Sequence, residues 1–208
     1  MASSLTELFH THVPAAAVDY CIGLAQRFPF RLVQAGRRSS KVGDFRPGPD
    51  TAGTITLNRG LNPYLFLITY VHEVAHHQVH IEQGPRTHPH GAAWKQRFRE
   101  LMDPVLNENV FPPDLLGVLK FHLRNPKAST FADTRLTRAL RVFDAEDGTK
   151  SLAELSAGAL FILNDRLYRK GYPRRTRVLC HQVGTRRRYL ISGEARVTEQ
   201  EGVEGAKR

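Results

Sequence analysis

His72, Glu73 and His76 stand in the order His-Glu-x-x-His, with Val74 and Ala75 between them. Residues four apart on a helix lie about 40° apart around its axis, so both imidazoles project from one face toward a single point. Neutral ring nitrogens placed in this way suit a zinc ion, which takes nitrogen ligands at about 2.0–2.1 Å. Glu73 points to one side of that face, where a carboxylate can reach a water held by the metal without displacing it. Zinc lowers the pKa of such a water to roughly 7, and the carboxylate takes its proton as it attacks an amide carbonyl. The protonated acid then passes the proton to the leaving amine. These three residues therefore point to metal-assisted peptide hydrolysis, with Glu73 as general base.

A catalytic zinc site needs a third protein ligand and an open fourth position. Six of the ten histidines fall between positions 72 and 90, which supplies candidates. His77 is turned about 100° away from His76, and His80 lies two turns from His72, too far to share an ion with both ends of the motif. His88 and His90 remain, brought back by the turn at Gly84 and Pro85. Position favours His90, which directly precedes Gly91 and a new helix and so has a fixed mount, whereas His88 sits in looser chain. Trp94, the sole tryptophan, is expected to anchor the helix that follows His90. Tyr64, Arg86 and His88 are candidates for stabilising a developing oxyanion, with nothing in the sequence to choose among them.

The elements that must position these residues are legible around them. Asn62 and Pro63 predict a helix start, because Asn accepts from free amides and Pro at the first helical position has no N–H to leave unpaired. That helix runs to about residue 83 and ends before Gly84 and Pro85. Ahead of it, residues 53–57 alternate with β-branched side chains and read as a strand, paired with residues 41–46. Residues 46–50 form a turn, residues 31–45 are extended, and residues 14–27 make an amphipathic helix stopped by Pro29. After the motif, one helix starts near Gly91 with Trp94, Phe98 and Leu101 on one face, and another runs from Pro112 to about Arg124.

Beyond Asn125 the pattern changes. Residues 134–142 read as a short basic helix and residues 144–148 as a polar linker. Four short β-like runs follow at 159–163, 166–169, 176–181 and 189–191, with Asn164–Asp165 and Gly184–Thr185 where hairpin turns belong. Between positions 166 and 188 there are nine Lys and Arg and no acidic residue, within a chain of formal charge +10. Arg174, Arg175, Arg177, Arg186, Arg187 and Arg188 are expected on facing strands of a hairpin, where part of the set could share one phosphate-contacting face. Tyr168, Tyr172 and Tyr189 interleave with them and suit either base stacking or a small core.

With 41% hydrophobic and 24% charged residues in 208, the composition is that of a globular protein rather than a disordered or fibrous one. No apolar run approaches the roughly 18 residues that would span a bilayer. The N-terminus lacks the basic start of a secretory signal, so a cytoplasmic protein with no membrane role is expected. Cys21 and Cys180 are too few and too far apart for a disulfide framework or a Cys-ligated zinc, and read as small core residues.

HEVAH at 72–76, followed after a further 13 residues by His90 in the run His90-Gly91-Ala92-Ala93-Trp94, resembles the SprT-like zinc metallopeptidase domain. That family pairs HExxH on one helix with a third zinc histidine opening the next, and the strand at 54–58 and the helix start at Leu61, Asn62 and Pro63 look like its approach to the site. The resemblance covers about residues 10–125. It implies zinc held by His72, His76 and His90, Glu73 as catalytic acid and base, and a minimal α+β zincin-like fold. By analogy with the Spartan proteases of that family it also implies protein substrates associated with or crosslinked to DNA. The cysteine-ligated zinc ribbon that many relatives carry is excluded, since Cys180 is the only cysteine after the motif.

The expected organisation is an SprT-like α+β domain over 1–128, a short helix and linker over 129–150, a small basic antiparallel β module over 151–198 and a flexible tail over 199–208. The module is expected to contact DNA, single strands in preference. Two alternatives have a different character: a non-catalytic nucleic-acid-binding protein with a structural zinc, and a cytosolic zinc peptidase without a DNA role. The intact Glu73 favours the enzyme, because a structural zinc site needs no carboxylate there and closes its fourth position with a protein ligand.

Overall fold

The computed structural model describes residues 2–36, 38, 41–48 and 53–200, and its chain divides into two compact units, 1–144 and 145–208. The first unit opens with α1 (Ala2–His12), a single 3-10 turn (Ala15–Ala17) and α2 (Val18–Arg27). Strands β1 (Arg31–Ala35), β2 (Gly43–Arg46) and β3 (Thr54–Asn58) come next, and then α3 (Pro63–Gln83), α4 (Ala92–Met102), α5 (Pro113–Leu123) and α6 (Thr134–Arg141). The proposed turn at 46–50 lies partly outside the described residues, and α1 is a helix that sequence patterning does not predict.

The three strands form a mixed sheet in the order β1-β3-β2. β1 runs parallel to β3, with Arg31 opposite Thr54, while β2 runs antiparallel, with Gly43 opposite Leu57. Alternation along β3 buries Ile55 and Leu57 completely, which gives α3 an apolar sheet face to pack on. α3 also touches α1 and α4, and 13 of its 21 residues are buried, so it is the unit's central helix. Tyr70 on α3 packs its ring 5.0 Å from Phe9 and donates its hydroxyl to the Cys21 carbonyl at 3.0 Å, tying α1 and α2 to it.

Asn62 caps α3 as its type predicts, its Oδ1 accepting from the Leu65 amide at 2.9 Å. The same buried side chain donates from Nδ2 to the Leu140 carbonyl (3.0 Å) and to Asp144 (2.7 Å). α6 packs on α5 and buries Leu136, Thr137 and Leu140. The segment read from sequence as a helix and linker over 129–150 is thus split: α6 belongs to the first unit, which ends at Asp144. Its apolar stripe and its bonds to Asn62 are the physical reason.

The second unit is a six-stranded antiparallel sheet in the order β4-β9-β5-β6-β7-β8, formed by β4 (Lys150–Ser151), β5 (Leu160–Leu163), β6 (Arg166–Arg174), β7 (Arg177–Gln182), β8 (Arg188–Ser192) and β9 (Arg196–Gln200). Asn164 and Asp165 both take left-handed φ values, 50° and 58°, as a two-residue hairpin turn demands. Leu152, Leu155, Phe161, Tyr168, Val178, Cys180 and Val197 make its core. The buried Lys170 turns inward and donates to the carbonyls of Ala153 and Leu155, fastening the 152–158 loop. Residues 199 and 200, expected in a flexible tail, belong to β9 instead, with Glu199 and Gln200 paired to Phe161 and Leu160; the rest of that expected tail, 201–208, lies outside the described residues. Cys21 and Cys180 are both free and buried. Among the described residues, no helix is long and apolar enough to cross a membrane.

Candidate metal centre

One helical turn on α3 brings His72 and His76 onto the same face, with their Nε2 atoms 3.2 Å apart. After α3 the chain turns back at Gly84, whose φ of 77° is open to glycine at no steric cost, and returns through 85–89 to His90. His90 itself has φ 59°, a left-handed conformation that costs a non-glycine residue about 1 kcal/mol. Gly91 then caps α4, receiving the Lys95 amide at 3.0 Å. The result sets His90 Nε2 2.9 Å from that of His76 and 3.2 Å from that of His72.

These three nitrogens are the only group of His, Cys, Asp or Glu atoms among the described residues close enough to hold a metal ion together. Their spacing fits one. A tetrahedral ion with nitrogen ligands at about 2.0–2.1 Å sets neighbouring ligands roughly 3.3 Å apart. Hydrogen bonding alone cannot satisfy the triangle. Each ring nitrogen is either a donor or an acceptor, so around three corners at least one pair always sets proton against proton or lone pair against lone pair. A cation facing three lone pairs removes that conflict.

The electrostatics agree. Burial pushes the imidazolium form of His72 well below its ordinary pKa, with His76, His90 and His122 adding to it. Burial and His90 bring His76 down to about 3, and burial with His88 lowers His90. The rings are therefore neutral, as metal ligands must be. Trp94 is 1% exposed and packs its ring 4.5, 5.2 and 4.7 Å from those of His72, His76 and His90. It also stacks on Phe98 at 5.1 Å. It is the wall that fixes all three rings as well as the anchor of α4.

Glu73 leaves the metal face toward β2. The Phe45 amide donates to its carboxylate, and Gly43 lies against its side chain. Burial, with Asp44 adding, raises its pKa to about 8 with no cation present, against the pull of that amide and of Lys41 and Arg38, and a cation on the three histidines would favour the carboxylate form. Glu73 still reaches the cavity of about 490 Å³ that opens over the three histidines. Its lining includes residues 41–45, Gly84, Pro85 and residues 87–90, and Ala128, Ser129 and Thr130.

Other positions sort as follows. His77 is fully buried, edge-on to Phe30 and Phe45, and His80 faces Phe45 on the cavity wall outside the triangle. His88 is exposed and lines the cavity without joining the triad. Of the three oxyanion candidates only His88 faces the cavity, since Tyr64 packs on Phe111 and Phe143 and Arg86 lies off the lining.

The six module arginines are exposed, and Arg174 faces Arg177 across the β6–β7 pair as expected, but the two triplets do not face each other. Arg174, Arg175 and Arg177 sit at the β6–β7 turn, whereas Arg186, Arg187 and Arg188 lie at the β7–β8 turn, at the other end of β7. Six residues of strand separate these ends by about 17 Å. Arg177 donates to the Leu190 carbonyl at 3.1 Å. Tyr168 is a core ring stacked on Phe161, Tyr189 meets it edge-on, and Tyr172 alone of the three is largely exposed, at 78%.

Sequence reasoning missed Gly43 and the Phe45 amide, which hold Glu73, and also the 128–130 wall. The one available signal was a glycine inside a predicted strand, which often marks close approach of another backbone or side chain. Comparison of the chain with protein-family models, curated proteins and solved structures finds no match in any of the three.

Proposed function

We propose that this chain is a zinc-dependent endopeptidase of the SprT-like, zincin-like type, acting on proteins associated with DNA. The observation that carries the reading is the triangle of Nε2 atoms from His72, His76 and His90 with the Glu73 carboxylate beside it. No fourth metal-ligating side chain joins the group among the described residues, and this suits catalysis, which needs an open position, better than a structural site. When bound, zinc supplies Lewis acidity, making water more acidic and polarising the amide carbonyl.

The chain's own residues do the rest. Glu73 takes the proton of the attacking water and delivers it to the leaving amine nitrogen. The Phe45 amide and the bare backbone at Gly43 keep its carboxylate in one place through both transfers. The three neutral imidazoles hold the ion, and Trp94 keeps their rings from turning. The cavity of about 490 Å³ over the triad would receive the substrate segment that carries the scissile amide. A DNA role rests on charge: the six exposed module arginines, at two ends of β7, would track a phosphate backbone, with single strands preferred.

The test is metal analysis coupled to proteolysis of a loosely folded protein, with and without single-stranded DNA. About one zinc per chain, with cleavage that a chelator stops and zinc restores, is expected. Purified protein with no zinc and no cleavage under either condition would contradict the proposal.

A further inference from the structure

A second surface of the first unit has a character of its own. Phe121 on α5 is 54% exposed, and two guanidinium groups approach its ring, Arg124 from the C-cap of the same helix and Arg135 from α6, each 5.6 Å from the centroid. Phe131, in the 3-10 turn between these helices, is 46% exposed. Lys120 and Lys127 are exposed beside them in sequence. Residues 115–132 contain no acidic residue. Asp133, the next acid, is engaged by His122 at 2.8 Å and by the Arg135 and Leu136 amides. None of Lys120, Arg124, Lys127 and Arg135 has an acidic partner among the described residues, whereas Arg97 on α4 is bound by Glu82 and Glu100.

A single exposed phenylalanine on a helix would be unremarkable. Here a half-exposed ring gathers cations from two different helices, and a second exposed ring follows in the connecting turn. We infer that this α5–α6 surface docks single-stranded nucleic acid, with phosphates on Lys120, Arg124, Lys127 and Arg135 and bases stacking on Phe121 and Phe131. Charge alone would suit an acidic polypeptide equally well, but that would leave the rings without a partner. Duplex hides its base faces, whereas an unpaired strand offers both phosphate and free π-faces. Ser129 and Thr130, which line the cavity over the histidine triad, directly precede Phe131. The docked strand would therefore run beside the cavity rim. That last point rests on the proposed function, while the binding itself does not.

The experiment uses the full chain and labelled oligo-dT, oligo-U and duplex DNA, with affinity read by fluorescence anisotropy across a salt series. Phe121→Ala combined with Phe131→Ala should weaken oligo-dT and oligo-U binding by about thirtyfold or more and duplex binding much less, as loss of two stacked bases predicts. Phe121→Trp should retain binding. Arg124→Gln with Arg135→Gln should reduce the salt slope by roughly 1.4, about 0.7 for each phosphate of a single strand that is no longer neutralised. A preference between oligo-dT and oligo-U identifies DNA or RNA as the natural source. Unchanged single-strand affinity in the double phenylalanine variant, with native circular dichroism and metal content, overturns the inference. So does displacement of oligo-dT by polyglutamate as effective as by unlabelled oligo-dT, which would make the surface a site for acidic protein. Metal content and peptidase activity, measured on the same variants, report separately on the proposed function.

Discussion

Gly43 and Glu73 meet across the seam between β2 and α3 so closely that a Cβ on Gly43 would lie 2.9 Å from Glu73 Oε1 and 2.6 Å from Thr69 Cγ2. Only a bare backbone lets the strand lie against the carboxylate and the Phe45 amide donate to it. Gly43→Ala should therefore displace the Glu73 side chain without touching a metal ligand. Zinc content should stay near wild type, peptidase turnover should fall at least tenfold, and stability should drop by about 1–3 kcal/mol from overpacking. Wild-type turnover in this variant would show that β2 does not position the carboxylate.

Metal retention tests the ligand set. His72→Ala, His76→Ala and His90→Ala should each empty the site, because two nitrogens cannot replace three. His88→Ala should keep it full, since His88 lies outside the triangle. An empty site in His88→Ala together with a full one in His90→Ala, measured by elemental analysis, would reverse the assignment of the third ligand.

Much of this site was legible because its determinants are local. The i, i+4 spacing puts His72 and His76 on one helix face whatever the rest of the chain does, and Asn62 with Pro63 marks the helix start by capping chemistry. His90 was legible through its place before Gly91. What was not legible depends on distant parts of the chain meeting. Gly43 and Phe45 reach Glu73 from 28–30 positions upstream, and Thr130 lines the cavity from beyond α5. α6 looked like part of a linker because its ties to the rest of the unit, from Asn62 to Leu140 and Asp144, span about 80 residues of sequence. The arginines of the module were misplaced for a related reason: their strands were found, but β7 runs its full length between the two groups.

Asp133 ties α5 to α6 and gives a pH dependence away from the metal. Burial alone would raise its carboxyl pKa, but the bond from His122 and the amides of Leu136 and Arg135 outweigh burial and hold it below the ordinary value. A carboxyl titrating lower in the folded than in the unfolded state lends stability that is complete above about pH 4 and fades as pH falls through the folded value. Asp133→Ala should cost about 1–2 kcal/mol at neutral pH, because both the helix cap and the bond to His122 disappear. Urea denaturation at about pH 3 should show a smaller difference from wild type. An equal difference at both pH values would mean that the charge plays no part.

The two arginine groups of the module should behave independently if both engage a phosphate backbone. Arg186→Gln, Arg187→Gln and Arg188→Gln together should reduce the salt slope of single-strand binding by roughly 2, at about 0.7 per phosphate. Arg174→Gln with Arg175→Gln should add to that reduction, because β7 separates the groups by about 17 Å. Salt slopes identical to wild type in both variants would remove the module from the nucleic-acid interface.

Glu73→Gln keeps the shape of the side chain and every metal ligand while removing the base. With one zinc per chain confirmed in both proteins, peptidase turnover by the variant should fall by a factor on the order of 10²–10⁴, the usual worth of a positioned general base. Equal turnover by wild type and Glu73→Gln, each fully loaded with zinc, would contradict the assignment of this site as the centre of a peptidase.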